Sequence, residues 1–261
     1  MRFALNHIAA PTLSLPDFFA TARDLGVTEV EIRNDLPDVL SQWRPEDVKA
    51  EAGKAGVTIV SINALYPFNV WGGDLPARAE AMADYAAACG AKALVMCPLN
   101  DGTPVDFDGL VGALTAMKTI LDTRGLTGLV EPLGFPISSL RTKAEAIRAI
   151  EAAGGTGTYK LMHDTFHHHL ARETEFFPDW IGLVHISGVT DPDVSVADML
   201  DAHRVLVDGR DRLENLPQIR ALLDAGYDGA FSFEPFAPEV HRAADPKDAL
   251  KTSMAFVSAQ L

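Results

Sequence analysis

Four side chains of the types that bind metal ions each close a separate apolar run in the second half of the chain: Glu131, Asp164, His185 and Glu234. If these runs are parallel strands of a barrel, all four side chains converge on one face. Three carboxylates and an imidazole suit one divalent cation, with Mn²⁺, Zn²⁺, Co²⁺ and Mg²⁺ as the alternatives. Carboxylates clustered in a barrel mouth would otherwise repel one another. Four in succession therefore indicate a cation site, rather than ordinary strand-end residues that each pair with a nearby Lys or Arg.

The histidine three residues beyond Asp164 gives a second chemical signal. In Asp164-Thr-Phe-His167, the histidine has the spacing to reach a substrate oxygen beside the metal. We expect the next two histidines, His168 and His169, to lie in a solvated loop. His163 precedes the strand end, so the alternation of a strand points it away from the barrel interior.

An arginine lies in the long segment that follows the seventh apolar run. Arg204 could donate a pair of hydrogen bonds to substrate oxygens, because its guanidinium is planar and forked. The alternative is a surface salt bridge to Asp201 or Asp208.

Polar residues also end the early strands and are expected to face the same mouth. They are Asn6, Glu31, Arg33 and Asn63. Their side chains could bind substrate hydroxyls, or they could pair internally, for example Glu31 with Arg33. The two asparagines are included among the candidate substrate contacts.

Glycines at regular intervals indicate which helices and strands must position these residues. An Ala-rich amphipathic stretch ends in glycine and an apolar run follows, at Gly26, Gly56, Gly90, Gly125 and Gly226. Glycine tolerates the left-handed conformation that ends a helix, so each instance reads as a helix leading into a strand. The apolar runs predict eight strands, at 2–6, 28–33, 57–63, 92–97, 126–131, 159–163, 181–186 and 229–234. Together with the intervening helices they predict one (β/α)8 TIM barrel, a single domain over residues 1–261.

Composition limits the partners of the chain. Asp and Glu total 36 against 22 Lys and Arg, and the net charge of −14 disfavours nucleic acid, because Lys and Arg supply most nonspecific affinity for phosphates. The two cysteines, Cys89 and Cys97, fit a reducing compartment and are expected to pack as small apolar residues. We expect no signal peptide, no membrane span and a cytoplasmic protein. A homodimer remains an alternative to a monomer, because exposed barrel helices often mediate dimers.

The series Glu…Asp-x-x-His…His…Glu resembles the xylose isomerase-like TIM barrels, a family of sugar isomerases, epimerases and dehydratases. Within it the chain looks most like the inosose (2-keto-myo-inositol) isomerases of inositol catabolism. Short segments match along nearly the whole chain, among them Glu31-Ile-Arg33, Asp164-Thr-Phe-His167 and Phe233-Glu-Pro-Phe236. One segment departs from the family: an Arg-x-x-Pro-Gly-x-Gly run is replaced by Arg204-Val-Leu-Val-Asp-Gly-Arg210, which lacks the Pro-Gly turn.

The resemblance implies a site and a reaction. The metal ligands would be Glu131, Asp164, His185 and Glu234, with His167 and Arg204 as substrate contacts. The activity would be metal-dependent isomerisation or epimerisation of a keto-sugar or inosose, most specifically of 2-keto-myo-inositol. The cation would polarise the carbonyl, and Glu131 and Glu234 would move protons as acid and base through an enediolate.

Three other functions remain as alternatives. One is a dehydratase of an inosose or a dehydroshikimate-like acid, which shares the enediolate. Less favoured are an abasic-site endonuclease, which would need more His ligands and a basic face, and a non-enzymatic sugar-binding protein.

Overall fold

Eight parallel strands follow one another around a closed barrel in a computed structural model that describes residues 1–37 and 39–261. Each strand pairs with the next in the chain, and the eighth pairs with the first. The strands are β1 Arg2–Asn6, β2 Glu29–Arg33, β3 Thr58–Leu65, β4 Ala93–Met96, β5 Thr127–Val130, β6 Tyr159–Asp164, β7 Ile181–Ile186 and β8 Ala230–Phe233. The predicted (β/α)8 barrel is confirmed, and each strand end lies within two residues of its predicted position.

Helices connect the strands and cover the outside of the barrel. They are α1 Leu15–Asp24, α2 Val39–Gln42, α3 Pro45–Ala55, α4 Leu75–Cys89, α5 Phe107–Asp122, α6 Lys143–Ala152, α7 Thr165–Ala171, α8 Asn215–Asp224, α9 Pro238–His241 and α10 Pro246–Gln260. Side-chain caps begin several of them, as where Thr142 accepts a hydrogen bond from the Glu145 N–H at the start of α6. All five glycines predicted to end helices have positive φ, between 63° and 89°. Within the described residues, no helix is both long enough and apolar enough to cross a membrane.

The barrel interior has two layers of different character. Its lower part is filled by apolar side chains such as Val95, Leu129 and Met162. Above them, towards the carboxyl ends of the strands, the interior becomes polar: the register sets Glu31 beside Ser61 and His185 beside Ser232. The main apolar core lies between the strands and the helices and packs the strands firmly in place. The charged groups inside the barrel are therefore attached to a rigid wall.

The segment from β7 to α8 is long and mostly irregular. It contains two short 3₁₀ helices, Val196–Asp198 and Asp201–His203. An isolated antiparallel bridge between Gly188 and Val205 returns the chain to the strand end. This bridge holds Arg204 over the barrel mouth although the Pro-Gly turn is absent.

Candidate metal centre

The four predicted side chains are placed by the ends of four consecutive strands. Asp164 is the last residue of β6, and His185 is the last but one of β7. Glu131 and Glu234 directly follow β5 and β8, and the backbone N–H of each extends the ladder by donating to Met96 and Ile186, both at 3.0 Å. Parallel pairing thus brings residues far apart in sequence to one edge.

These four residues form one compact buried group. One potential ligand atom from each lies within 4.8 Å of the others. The Nδ1 atom of His185 lies 3.2 Å from Glu131 Oε1, 3.1 Å from Glu234 Oε2 and 3.9 Å from Asp164 Oδ2. None of the four residues is more than 4% exposed. The arrangement offers three carboxylates and one imidazole nitrogen to a common point.

A fourth carboxylate lies on the other side of the imidazole. Both oxygens of Glu31 are within 3.1 Å of His185 Nε2. Burial alone would lower the pKa of His185, but Glu234 and Glu31 raise it well above the ordinary value. The negative field that stabilises a proton on this ring would also attract a metal cation. Of the two alternatives for Glu31, the pairing with Arg33 does not form, because the Arg33 guanidinium pairs with Asp35 and Glu234 instead.

Two buried guanidiniums hold the carboxylates from above. Arg204 Nη2 lies 2.6 Å from Asp164 Oδ2 and 3.0 Å from Glu234 Oε2. Arg33 Nη1 lies 3.0 Å from Glu234 Oε1. Both guanidiniums stack on the ring of Phe236, at 4.8 and 5.2 Å from its centroid. Arg204 also meets Asp201 at 3.2 Å, so one predicted salt bridge forms, but it is the outer part of a larger buried network.

Glu234 is the most heavily bonded ligand candidate. Its Oε1 accepts hydrogen bonds from Asn6 Nδ2 and Asn63 Nδ2, both at 3.1 Å, as well as from Arg33. Burial would raise the pKa of Glu234, but His185 and the two guanidiniums lower it to about 2. The structure does not support Asn6 as a substrate contact, because it is fully buried below the cavity and its amide is bonded to carboxylates.

The buried charges test whether a cation fits. Around the centre the described residues supply four buried carboxylates, on Glu31, Glu131, Asp164 and Glu234, but only two buried guanidiniums. The outer carboxylates that also touch the guanidiniums, on Asp35 and Asp201, are about half exposed and solvated. Two negative charges are thus left without a buried partner when His185 is neutral. One divalent cation would balance them, and the oxygen-rich donor set matches such an ion.

A cavity of about 390 Å³ opens above the centre, which is within the size range of small-molecule sites. Its wall includes Asn63, Tyr66, Cys97, Phe135, His167 and Arg204, beside Glu131 and Glu234. The ring of His167 stands edge-on against Phe135, and its Nδ1 has no hydrogen-bond partner within the described residues. The structure therefore places His167 in the wall of the cavity.

The expectation of a solvated His168 is wrong. His167, His168 and His169 lie on helix α7, and Asp164 caps that helix by accepting hydrogen bonds from the Phe166 and His167 N–H groups. His168 is buried, and Lys143 Nζ lies 2.8 Å from its Nδ1. His163 does point outward as expected, and its Nε2 lies 3.0 Å from Gln218 on α8.

Sequence reasoning missed the position of one cysteine. Cys97 directly follows β4, lines the cavity and donates its thiol hydrogen to Glu131 Oε2 at 3.2 Å. It is therefore part of the site, whereas Cys89 is buried among apolar residues as expected. Cys97 lies just after an apolar run, and the same pattern indicated the four ligand candidates. This pattern could therefore have pointed to Cys97 as well.

The chain matches a known family and known structures. A family model described as xylose isomerase-like TIM barrel covers residues 19–260. A xylose isomerase domain containing protein from Salmonella typhimurium LT2 is 36% identical, with a TM-score of 0.93 over 98% of this chain and 97% of that one.

Two more distant structures share the fold. The IolI protein, solved with a bound zinc atom, is 20% identical, with a TM-score of 0.86 over 100% of this chain and 98% of that one. D-psicose 3-epimerase from Clostridium cellulolyticum H10, solved with D-tagatose, is 16% identical, with a TM-score of 0.75 over 100% and 99%. No curated protein matches the sequence.

Proposed function

The chain belongs to the xylose isomerase-like TIM barrel family, and from that premise we propose that it is a divalent-metal-dependent isomerase or epimerase of a small keto-sugar or inosose. The observation that carries the proposal is the group of four buried ligand candidates beneath a cavity, in surroundings where four buried carboxylates outnumber two buried guanidiniums. The zinc atom of the IolI protein and the D-tagatose of the epimerase support it. The motifs shared with inosose isomerases make 2-keto-myo-inositol the first substrate to test.

The proposed ligands are Glu131, Asp164, His185 and Glu234. When bound, the cation would polarise a substrate carbonyl and acidify the neighbouring C–H bond. Zinc is the first metal to try because of the IolI protein, followed by Mn²⁺, Co²⁺ and Mg²⁺, which the same donor set would accept.

Two glutamates, one directly after β5 and the other directly after β8, are proposed to move the proton. Glu234 Oε1 accepts three hydrogen bonds, which stabilise its anion and make it a weak base. Glu131 Oε2 accepts one hydrogen bond, from the Cys97 thiol. We therefore assign removal of the proton next to the carbonyl to Glu131, which gives an enediolate and a protonated Glu131. The proton that completes the reaction is returned to the enediolate carbon either by Glu131 itself or, from the other side, by Glu234 after it has taken up a proton from solvent.

The cavity wall would bind the rest of the substrate. His167 is the proposed contact to a substrate oxygen, because its ring lines the cavity and one of its nitrogens is unpaired within the described residues. Arg204 lines the cavity too, but its Nη2 is held by Asp164 and Glu234. Its proposed main role is therefore to hold these carboxylates in place.

Exchange of the substrate α-proton with deuterated solvent, followed by NMR, tests the proposal directly. Glu131→Gln and Glu234→Gln should each reduce exchange by at least about 100-fold, since a positioned acid or base typically contributes that much. Glu239→Gln, an exposed glutamate on α9, is the matched control and should exchange like the wild type.

The outcomes separate the alternatives. Undiminished exchange in both site variants would contradict the mechanism, and a product lighter by one water molecule would identify a dehydratase. Tight binding of inososes and ketohexoses by wild-type protein without any exchange would instead identify a sugar-binding protein.

A further inference from the structure

We infer that Glu31 is a positioning residue that fixes the tautomer of His185 and so prepares its Nδ1 atom to bind a metal ion. The inference rests on the proposed function, because it concerns how the same centre is built. Glu31 was predicted only to face the barrel mouth, and its role follows from contacts between β2 and β7 that no local pattern in the sequence reveals.

The two nitrogens of His185 face different surroundings. Nε2 lies 3.0 and 3.1 Å from the two oxygens of Glu31, which can only accept when ionised. Nδ1 faces the point shared by Glu131, Asp164 and Glu234. A neutral imidazole carries one proton, so a proton held on Nε2 leaves the Nδ1 lone pair free for a cation.

Glu31 is itself held as a fixed acceptor. Ser232 Oγ donates to its Oε1 at 2.5 Å, Ser61 Oγ donates to its Oε2 at 2.6 Å, and Asn6 Nδ2 lies 3.4 Å from Oε1. These donors come from β1, β3 and β8, so three strands of the barrel wall fix one carboxylate. No arginine or lysine within the described residues forms a salt bridge with Glu31, so no such side chain competes with the His185 N–H for its oxygens.

The position of Glu31 separates this role from catalysis. Its side chain is fully buried inside the barrel, below the cavity floor formed by Glu131 and Glu234. It therefore acts on the centre through His185 rather than by touching a substrate. In a metal-binding histidine, the ring nitrogen that does not bind the metal often donates its N–H to a carboxylate. Mutation of such a carboxylate commonly lowers metal affinity by about 10- to 100-fold.

The test is the dissociation constant for Zn²⁺, measured by competition with a chromophoric chelator. Glu31→Gln keeps the shape of the side chain but removes the charge, and we expect zinc affinity to fall by about 10- to 100-fold. Glu29→Gln is the matched control, because Glu29 lies on the same strand two residues earlier, at the partly exposed foot of the barrel. It should bind zinc like the wild type.

A spectroscopic readout distinguishes positioning from general weakening of the fold. ¹⁵N NMR of the imidazole should show His185 of the zinc-loaded wild type with its proton on Nε2, and a loss of that single tautomer in Glu31→Gln. If Glu31→Gln does not fold, the double variant Ser61→Ala, Ser232→Ala keeps the carboxylate but loosens it. It should then weaken zinc binding in the same direction by a smaller factor.

The failures are distinguishable. A wild-type protein that binds no divalent metal would overturn the proposed function itself. Wild-type zinc binding combined with equal affinity in Glu31→Gln and Glu29→Gln would overturn only the inference about Glu31, as would a proton found on Nδ1 in the zinc-loaded wild type.

Discussion

Arg204 shows how much of the centre depends on one side chain. It is only 1% exposed, bridges Asp164 and Glu234, and stacks between the rings of Phe166 and Phe236. Its Nε also donates to Ser187 Oγ at 2.9 Å. A lysine has neither the fork nor the flat face needed for these contacts.

Replacing Arg204 should therefore destabilise the protein through its carboxylates. In Arg204→Met the buried carboxylate of Asp164 loses its guanidinium partner and Glu234 keeps only Arg33; breaking a buried pair in this way typically costs about 3–5 kcal/mol. Unfolding by urea in the presence of a chelator measures this loss, and Arg204→Lys should recover part of it. Arg210→Met is the control, because among the described residues that exposed arginine pairs only with Asp208, and a change within about 0.5 kcal/mol is expected. Equal losses at positions 204 and 210 would contradict the network.

The sequence revealed the four ligand candidates because each interrupts an apolar run, and this local signal is independent of the fold. It did not reveal the bond between Glu31 and His185, which are 154 residues apart. That contact depends on the inward rotation and register of two strands. The surroundings of Asn6 were not predictable for a similar reason: a polar side chain at a strand end can lie beneath a metal-ligand candidate as easily as beside a substrate.

At the scale of secondary-structure elements, α7 is stabilised by buried polar contacts that its sequence does not reveal. Its run of three histidines looks solvated, yet the ring of His168 lies 4.8 Å from that of Phe176 and is bonded to Lys143, which in turn pairs with Glu173. These contacts tie α7 to α6. The glycine-ended helices and apolar strands were predictable because their patterns are local, whereas a seven-residue helix stabilised by its neighbours was not.

The burial of His168 predicts a pH-dependent stability. Burial, followed by the charge of Lys143, lowers the pKa of His168 to about 3 from an ordinary value of 6.5. Between those values the unfolded chain takes up a proton that the folded chain does not. Stability should therefore fall as the pH drops below about 6.5, by at most about 1.4 kcal/mol per pH unit from this group. In urea unfolding between pH 6.5 and 5, His168→Gln should lose less stability than the wild type, and equal slopes would contradict the prediction.

The loop between β5 and α6 presses closely on α7. A Cβ atom at Gly134 would overlap the carbonyl oxygen of His167 and approach Leu170 and Ala171. Gly134→Ala should therefore cost about 1–3 kcal/mol, as overpacking commonly does, and should weaken substrate binding by displacing His167. Gly157→Ala, where an added Cβ meets nothing within 4 Å, is the control. Thermal unfolding and the substrate dissociation constant measure the two effects.

For the molecule as a whole, metal binding should appear as stability. A ligand present at 100 times its dissociation constant stabilises the folded state by about 2.7 kcal/mol. For a chain of this size that corresponds to a rise in Tm of roughly 5–10 °C. Calorimetry with Zn²⁺, Mn²⁺, Co²⁺ or Mg²⁺, each compared with EDTA, should show the rise for the metals that bind. The double variant Glu131→Gln, Glu234→Gln should show none, and an equal rise in that variant would indicate metal binding elsewhere.

The closure of the barrel has a consequence for how the protein matures. The ion pair between Arg33 and Glu234 joins residues 201 positions apart, and β8 completes the ring by pairing with β1. The proposed ligands all lie in the second half of the chain, while Glu31 and other groups that hold them come from the first. On the ribosome, the centre cannot assemble until β8 has left the exit tunnel. A bound metal ion would therefore mark a polypeptide in which β8 has emerged and the ring has closed.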